Sequence, residues 1–219
     1  MTTTEREIIL NRNEAIRWAR GVLDRKDGYV IFDTETTGLD DSDVIVYLAV
    51  MDLDRVMLIN TRVKPLSKRR ISSDATYLHG FKISDLKDAP FFEEVYEMLR
   101  PIADAKMFLS YNAPFHGGMV KQTYLNEGLT SDEIGLNCID VKAQYVKFSG
   151  HRNPALPGRD NTGVGDCRAT LAVLHKMAEA ELADEPPPAE PTKEDTYGYW
   201  KDIIFFVILV AIVLWLLSR

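Results

Sequence analysis

Asp33-Thr34-Glu35-Thr36-Thr37-Gly38-Leu39 is the stretch from which the fold of this 219-residue chain is read. It follows directly on Tyr29-Val30-Ile31-Phe32, a β-branched and aromatic run that predicts a buried strand continuing to Asp33. Side chains alternate across a strand, so Asp33 and Glu35 share one face. Two carboxylates pointing the same way repel each other unless a cation lies between them. Hard divalent ions such as Mg²⁺ and Mn²⁺ suit such a pair because they prefer oxygen ligands. Thr36, Thr37 and Gly38 close the strand with small side chains and a turn, which leaves room for a ligand. An isolated Asp-x-Glu also reads as a strand end with two solvated acids, and the surrounding string is what separates the two readings.

The string DTETTGL resembles the first motif of the DnaQ-like 3′→5′ exonucleases, the DEDD group of proofreading subunits and ribonuclease T. The resemblance runs over about residues 15 to 178. His79-Gly80 with Asp88-Ala89-Pro90-Phe91 is similar to the family's HGI…DAPxF segment. Leu109-Ser110-Tyr111-Asn112-Ala113-Pro114-Phe115-His116 resembles the second motif, YNAxFD, with His116 where the family has Asp. Leu156-Pro157-Gly158, then Asn161 and Gly165-Asp166-Cys167-Arg168-Ala169-Thr170, resembles the third, LPGxxHxxxGDCRAT, with Asn161 where the family has His.

That resemblance implies a ribonuclease H-like α/β fold and metal-dependent hydrolysis of phosphodiesters at single-stranded DNA or RNA 3′ ends. In the family, two ions stabilise the attacking hydroxide and the leaving 3′ oxygen of an in-line displacement. By resemblance, one Mg²⁺ or Mn²⁺ is held by Asp33, Glu35 and Asp166. The second needs Asp33 and the carboxylate replaced by His116, whose neutral imidazole suits transition ions better. His116 also reads as a polar helix-start residue facing solvent. The family's general base stands where Asn161 is, and an amide orients water but takes no proton from it. His151, ten residues upstream, is either a substitute base or a surface residue of its loop. The family's tyrosine variant would need Tyr where Thr162 stands. The resemblance also makes Thr36, Thr37, Leu39 and Asn112 candidate nucleic-acid contacts, although Leu39 could instead close the turn and Asn112 could fix its loop. Arg168 either pairs with Asp166 or lies exposed. Two readings therefore compete: an exonuclease-family protein with weak hydrolysis, and a catalytically inactive pseudo-exonuclease that binds nucleic acid or scaffolds at a membrane.

Composition and periodicity stand independently of the resemblance. Net charge is −7, of which about −3 comes from residues 182–219, with six acids against three bases. No basic stripe suited to tight duplex binding is present. Lys64, Lys68, Arg69 and Arg70 form one cluster that reads equally as a solvated loop or a phosphate contact. Cys138 and Cys167 read as small buried hydrophobes in a reducing compartment. Thr4-Glu5-Arg6-Glu7 fits a capping box, and Asn13 to Leu23 has helical spacing. Strands are predicted at about 29–33, 43–51, 55–63 and 107–111. Helices are predicted near 91–104, 114–128, 140–148 and 166–181. A three-strand meander followed by alternating elements predicts a mixed sheet with helices on both faces.

Residues 1–181 thus form the expected exonuclease-like domain. Residues 182–200 read as an acidic, proline-rich linker carrying Pro186-Pro187-Pro188. Within 201–219, the run from Ile203 to Leu217 contains no polar residue. Its length as a helix, about 22 Å, falls short of the roughly 30 Å hydrocarbon core, and Trp200 with the nearby tyrosines extends it into the interface. With no secretory signal ahead of it, this run predicts a single-pass tail anchor with the globular domain in the cytoplasm. The alternative is a buried core helix.

Overall fold

The computed structural model describes residues 2–66, 69–129 and 136–187. The expected transmembrane run at 203–217 and most of the expected linker lie outside the described residues. Among the described residues no helix is long and apolar enough to cross a membrane. Contacts divide the chain into a unit Met1–Asp184 and a unit Glu185–Arg219. Residues 181–183 are held against the first helix: Arg12 donates to the Glu181 carbonyl, and the Asn13 amide both donates to and accepts from the Ala183 backbone.

That helix, α1 (Thr3–Asp24), starts two residues earlier than the sequence signal placed it. The capping box is Thr2 with Glu5, not Thr4 with Glu7: Thr2 Oγ1 accepts the Glu5 amide at 3.2 Å, and Glu5 Oε2 accepts the Thr2 amide at 2.8 Å. Apolar spacing could not locate this start, because the early turns bury little and Ile8 stays exposed.

Five strands form one mixed sheet in the order β3-β2-β1-β4-β5. Strands β1 (Tyr29–Thr36), β2 (Ile45–Asp52) and β3 (Met57–Arg62) make the antiparallel meander. β4 (Met107–Ser110) runs parallel to β1, and β5 (Cys138–Asp140) runs parallel to β4. Period-2 alternation sends Ile31, Ala49, Met51 and Leu109 to one face, against α1, α5 (Val141–Ser149) and α6 (Gly163–Glu179). Val30, Phe32, Leu48, Val50 and Phe108 pack on the other face, against α3 (Phe92–Ala105) and α4 (Ala113–Asn126). The two-sided architecture is as the sequence predicts. Helix α2 (Ser73–His79) and the three-residue β5 carry too few periodic apolar positions to be read, and Ala75 is the buried residue of α2.

Unequal strand lengths create the site. β1 pairs with β2 as far as Thr36, but with β4 only through Ile31. Beyond Ile31 the β4 side of β1 has no strand partner among the described residues, so Asp33 to Thr36 line an opening at the carboxyl end of β1. The chain leaves β4 through Asn112, in a left-handed conformation at φ 84°, and enters α4 with Pro114 in its first turn.

Candidate active site

The opening is a cavity of about 690 Å³ lined by Asp33, Glu35, Thr36, Leu39, Asn112, His116, Arg159 and Asp166, among others. Sequence reasoning placed three carboxylates together, and all three are buried here. Burial, then the charges of Glu35 and Asp166, push the Asp33 carboxyl far above its usual range. Burial and Asp166 raise Glu35 to about 7. Burial raises Asp166 as well, against the opposing pull of Arg159 and the Asp160 amide. Glu35 Oε1 is buried with no hydrogen-bond partner among the described residues. An orphaned carboxylate oxygen among mutually repelling acids matches the chemistry of a hard dication site. As the side chains stand, however, no three His, Cys, Asp or Glu among the described residues are arranged to hold an ion. Asp166 is already held on both oxygens, Oδ2 beside Arg159 Nε and Oδ1 accepting the Asp160 amide.

His116 does not face solvent; it is buried over β1. Its Nδ1 accepts the Thr34 backbone N–H at 3.2 Å and lies 2.9 Å from Thr34 Oγ1. An amide N–H can only donate, so Nδ1 carries the lone pair and Nε2 carries the proton. Nε2 lies 3.4 Å from Asp33 Oδ1. The ring thus satisfies the amide that β4 is too short to reach, and it presents a proton rather than a lone pair to Asp33. Burial, then Arg159, lower its pKa to about 4, with a backbone bond at Tyr111 opposing. A neutral ring in this tautomer does not fit a second metal position.

Asn161 is exposed, at φ 60°, and does not line the cavity. His151 is likewise exposed and away from it. His79 does line it, but both ring nitrogens are engaged: Nδ1 accepts the Phe81 amide, which leaves Nε2 to donate to the Thr36 carbonyl. Thr36 reaches the cavity while its hydroxyl donates to the Gly38 carbonyl. Thr37 is a correction to the expected contacts, being 1% exposed and bonded to Asp43 and the Val44 amide. Leu39 is 83% exposed at the rim, so it does not close the turn onto the core. Asn112 lines the cavity and its backbone N–H donates to Asp140 Oδ1.

Of the basic cluster at 64–70, Lys64 and Arg69 are engaged within the fold, Arg70 is exposed, and Lys68 lies outside the described residues. Lys64 lies over the Phe91 ring and donates to the Lys87 carbonyl, and Arg69 turns toward Ser42 and the buried Glu127. Cys167 is buried as expected, and Cys138 is half-buried with its thiol pushed up to about 11.

Arg159 is the site residue that sequence reasoning missed. Its Nε lies 3.0 Å from Asp166 Oδ2, whereas Arg168 points into solvent. The loop that carries Arg159 is tied to the end of β4 by Tyr111 Oη, which lies 3.0 Å from the Pro154 carbonyl. It then turns through left-handed Gly158 and Asn161, and the Asp160 amide reaches Asp166 Oδ1 at 3.3 Å. Thr162 caps α6 by accepting the Gly165 amide, which sets Asp166 in the first turn. Gly163 lies against the Tyr47 ring and Gly165 against the Asp160 side chain, of which only the first leaves its neighbour no room to give. A Cβ at Gly163 would lie 2.4 Å from the Tyr47 ring, and one at Gly165 would lie 1.9 Å from the Asp160 carboxylate.

A family model described as Exonuclease, RNase_T, matches residues 30–156. The chain is 26% identical over 180 residues to an uncharacterized exonuclease, CP81, of Escherichia phage 186, covering 72% of this chain and 92% of that protein. It is 27% identical over 161 residues to a PolC-type DNA polymerase III of Caldanaerobacter subterraneus, spanning 69% of this chain but 12% of the polymerase. The crystal structure of the nuclease domain of 3′hExo, a DEDDh family member bound to rAMP, superposes with a TM-score of 0.54 at 14% identity. That match covers 74% of this chain and 98% of the nuclease domain, and it bears on the fold.

Proposed function

This chain belongs to the DnaQ-like exonuclease family, and we propose that it engages single-stranded DNA or RNA 3′ ends with weak metal-dependent hydrolysis. The observation that carries this reading is the set of Asp33, Glu35 and Asp166 in one cavity, with a Glu35 oxygen left without a partner among the described residues. Those three carboxylates would hold one Mg²⁺ or Mn²⁺, which supplies charge for the attacking water and the phosphoryl oxygens. The reaction joins a water oxygen to phosphorus, breaks the bond from phosphorus to the 3′ oxygen, and leaves that oxygen protonated. A 5′-mononucleotide is released. On this reading exposed Leu39 packs on a terminal base, and Thr36 and Asn112 of the same cavity are further contacts. The acidic lining, with Lys142 and Arg159 as its Lys and Arg side chains, disfavours a long polyanion and favours a chain end. Incubation of the full chain with single-stranded DNA and RNA oligonucleotides in Mg²⁺ and in Mn²⁺ is the direct test. Slow 3′→5′ shortening is the expected result.

The inactive reading is favoured by one observation, the His116 ring held by Thr34 with its proton toward Asp33. It is separated from the first by binding without shortening. Under both readings the carboxylates still hold an ion. Calorimetric titration with Mn²⁺ is expected to show one dominant site, lost in Asp33→Asn. A flat wild-type titration would remove the metal-site reading.

We also propose that residues 203–217 anchor the chain in a membrane, with the globular unit on the cytoplasmic side and the acidic, proline-rich segment as a tether. The support is composition: fifteen consecutive apolar residues without a charge. Full-length chain is expected in the membrane pellet and resistant to high salt and carbonate, while a chain ending at Glu185 stays in solution. Full-length chain recovered in solution without detergent would make the run a partner-binding helix instead.

A further inference from the structure

We propose that Arg159 supplies the second positive charge of this site, its guanidinium taking the phosphate that a second metal ion would otherwise hold. This rests on the reading of the cavity as a nucleotide site. The geometry gives it two supports. First, the position from which a second ion would be held is closed by His116, whose Nδ1 is occupied by the Thr34 amide and whose Nε2 faces Asp33 Oδ1 at 3.4 Å. Second, Arg159 lines the same cavity, with its Nε 3.0 Å from Asp166 Oδ2.

Among the described residues no hydrogen bond engages the two terminal nitrogens of Arg159. With Nε fixed on Asp166, these nitrogens form the end of a planar fork, the geometry that binds phosphate oxygens in pairs. The side chain is about half exposed, so it reaches a ligand entering from solvent. Its charge is felt across the cavity, lowering the proton affinity of Asp33, Glu35, Asp166 and His116 alike. The loop is built to hold it there. Tyr111 Oη ties the Pro154–Ala155 carbonyls to β4, and Gly158 turns the chain immediately before Arg159. This charge is the side chain's own and needs no metal.

The test uses the full chain, Arg159→Gln, which keeps an amide donor and removes the charge, and Arg159→Lys, which keeps the charge and removes the fork. Adenosine 5′-monophosphate in Mn²⁺ is titrated calorimetrically into each, with adenosine as the uncharged control and Mn²⁺ alone as the second readout. Arg159→Gln is expected to weaken nucleotide binding about ten- to a hundredfold. Arg159→Lys should recover part of it, adenosine binding should not change, and Mn²⁺ should bind as well as in the wild type or tighter. A parallel loss of Mn²⁺ affinity overturns the proposal, since Arg159 would then act as a strut for Asp166. Unchanged or tighter nucleotide binding in Arg159→Gln also overturns it, since the guanidinium would then merely plug the site. Wild-type chain that binds no nucleotide in Mn²⁺ overturns the nucleotide reading itself, and the role of Arg159 with it.

Discussion

The double change His116→Asp with Asn161→His should raise 3′→5′ nuclease activity by about 10²- to 10⁴-fold, the usual contribution of a general base, or more. The first change replaces a ring that presents a proton to Asp33 with a carboxylate that presents oxygens to a cation. It also removes the Nδ1 acceptor for the Thr34 amide, a bond that an aspartate oxygen can accept in turn. The second change puts a group that titrates near neutrality on the loop before α6. Asn161 sits at φ 60°, a conformation in which His is among the better-tolerated residues, so the backbone need not move. The side chain must still cross from the exposed side of the loop toward the cavity. His at that position alone should therefore recover less than the pair. Non-additivity is itself expected, because base and metal act on one transition state. A wild-type chain that digests oligonucleotides in Mg²⁺ as fast as the double variant would show that neither replacement limits the chemistry.

Much of this site was legible because its chemistry is local in sequence. Asp33 and Glu35 lie on one strand, and strand periodicity alone puts them on one face. The sheet was legible for a similar reason, since β1, β2 and the helices that cover them have clear apolar periods. Where the period is absent, reading failed: α2 buries Ala75 and little else, and β5 is three residues long. Arg159 was missed for a different reason. Of the two readings of Arg168, paired with Asp166 or exposed, the second holds, because residues two apart on a helix do not face each other. The arginine on the preceding loop was the better choice, because a chain that enters a helix beside its first turn passes close to a residue there. Thr37 shows the converse error. Its place in the motif suggested contact with a ligand, yet its hydroxyl is used to hold Asp43 and close the turn. The tautomer of His116 could not be read at all, since it depends on β4 stopping two residues short of Asp33.

Stripped of metal by chelation, the protein should become less stable as pH rises from about 6 to 8, and saturating Mn²⁺ should reverse that slope. Asp33, Glu35 and Asp166 all bind protons more tightly in the fold than in the unfolded chain. A raised carboxyl pKa means that the folded state holds more protons, so stability falls as pH rises through the interval between the unfolded and folded values. For Glu35 that interval runs from the ordinary 4.5 to about 7, a change of roughly 3 kcal/mol. His116 has the opposite sign. Its pKa falls from 6.5 to about 4, so stability rises with pH across that interval by a similar amount, roughly 3 kcal/mol. The two nearly cancel below pH 6.5, where Asp33 and Asp166 decide the direction. Above it His116 is neutral in both states and no longer offsets the acids. Mn²⁺ needs the carboxylates deprotonated, so its stabilisation grows with pH and is largest where the metal-free site repels itself most. Thermal unfolding midpoints measured across pH 5.5 to 8, in chelator and in Mn²⁺, should therefore diverge as pH rises. His116→Asn should steepen the fall in chelator below pH 6.5, because it removes the opposing ring. A chelated midpoint that rises with pH above 6.5 would mean that the three acids are already neutralised by something other than protons. Arg159, the fixed cation on Asp166, is the group that could do so.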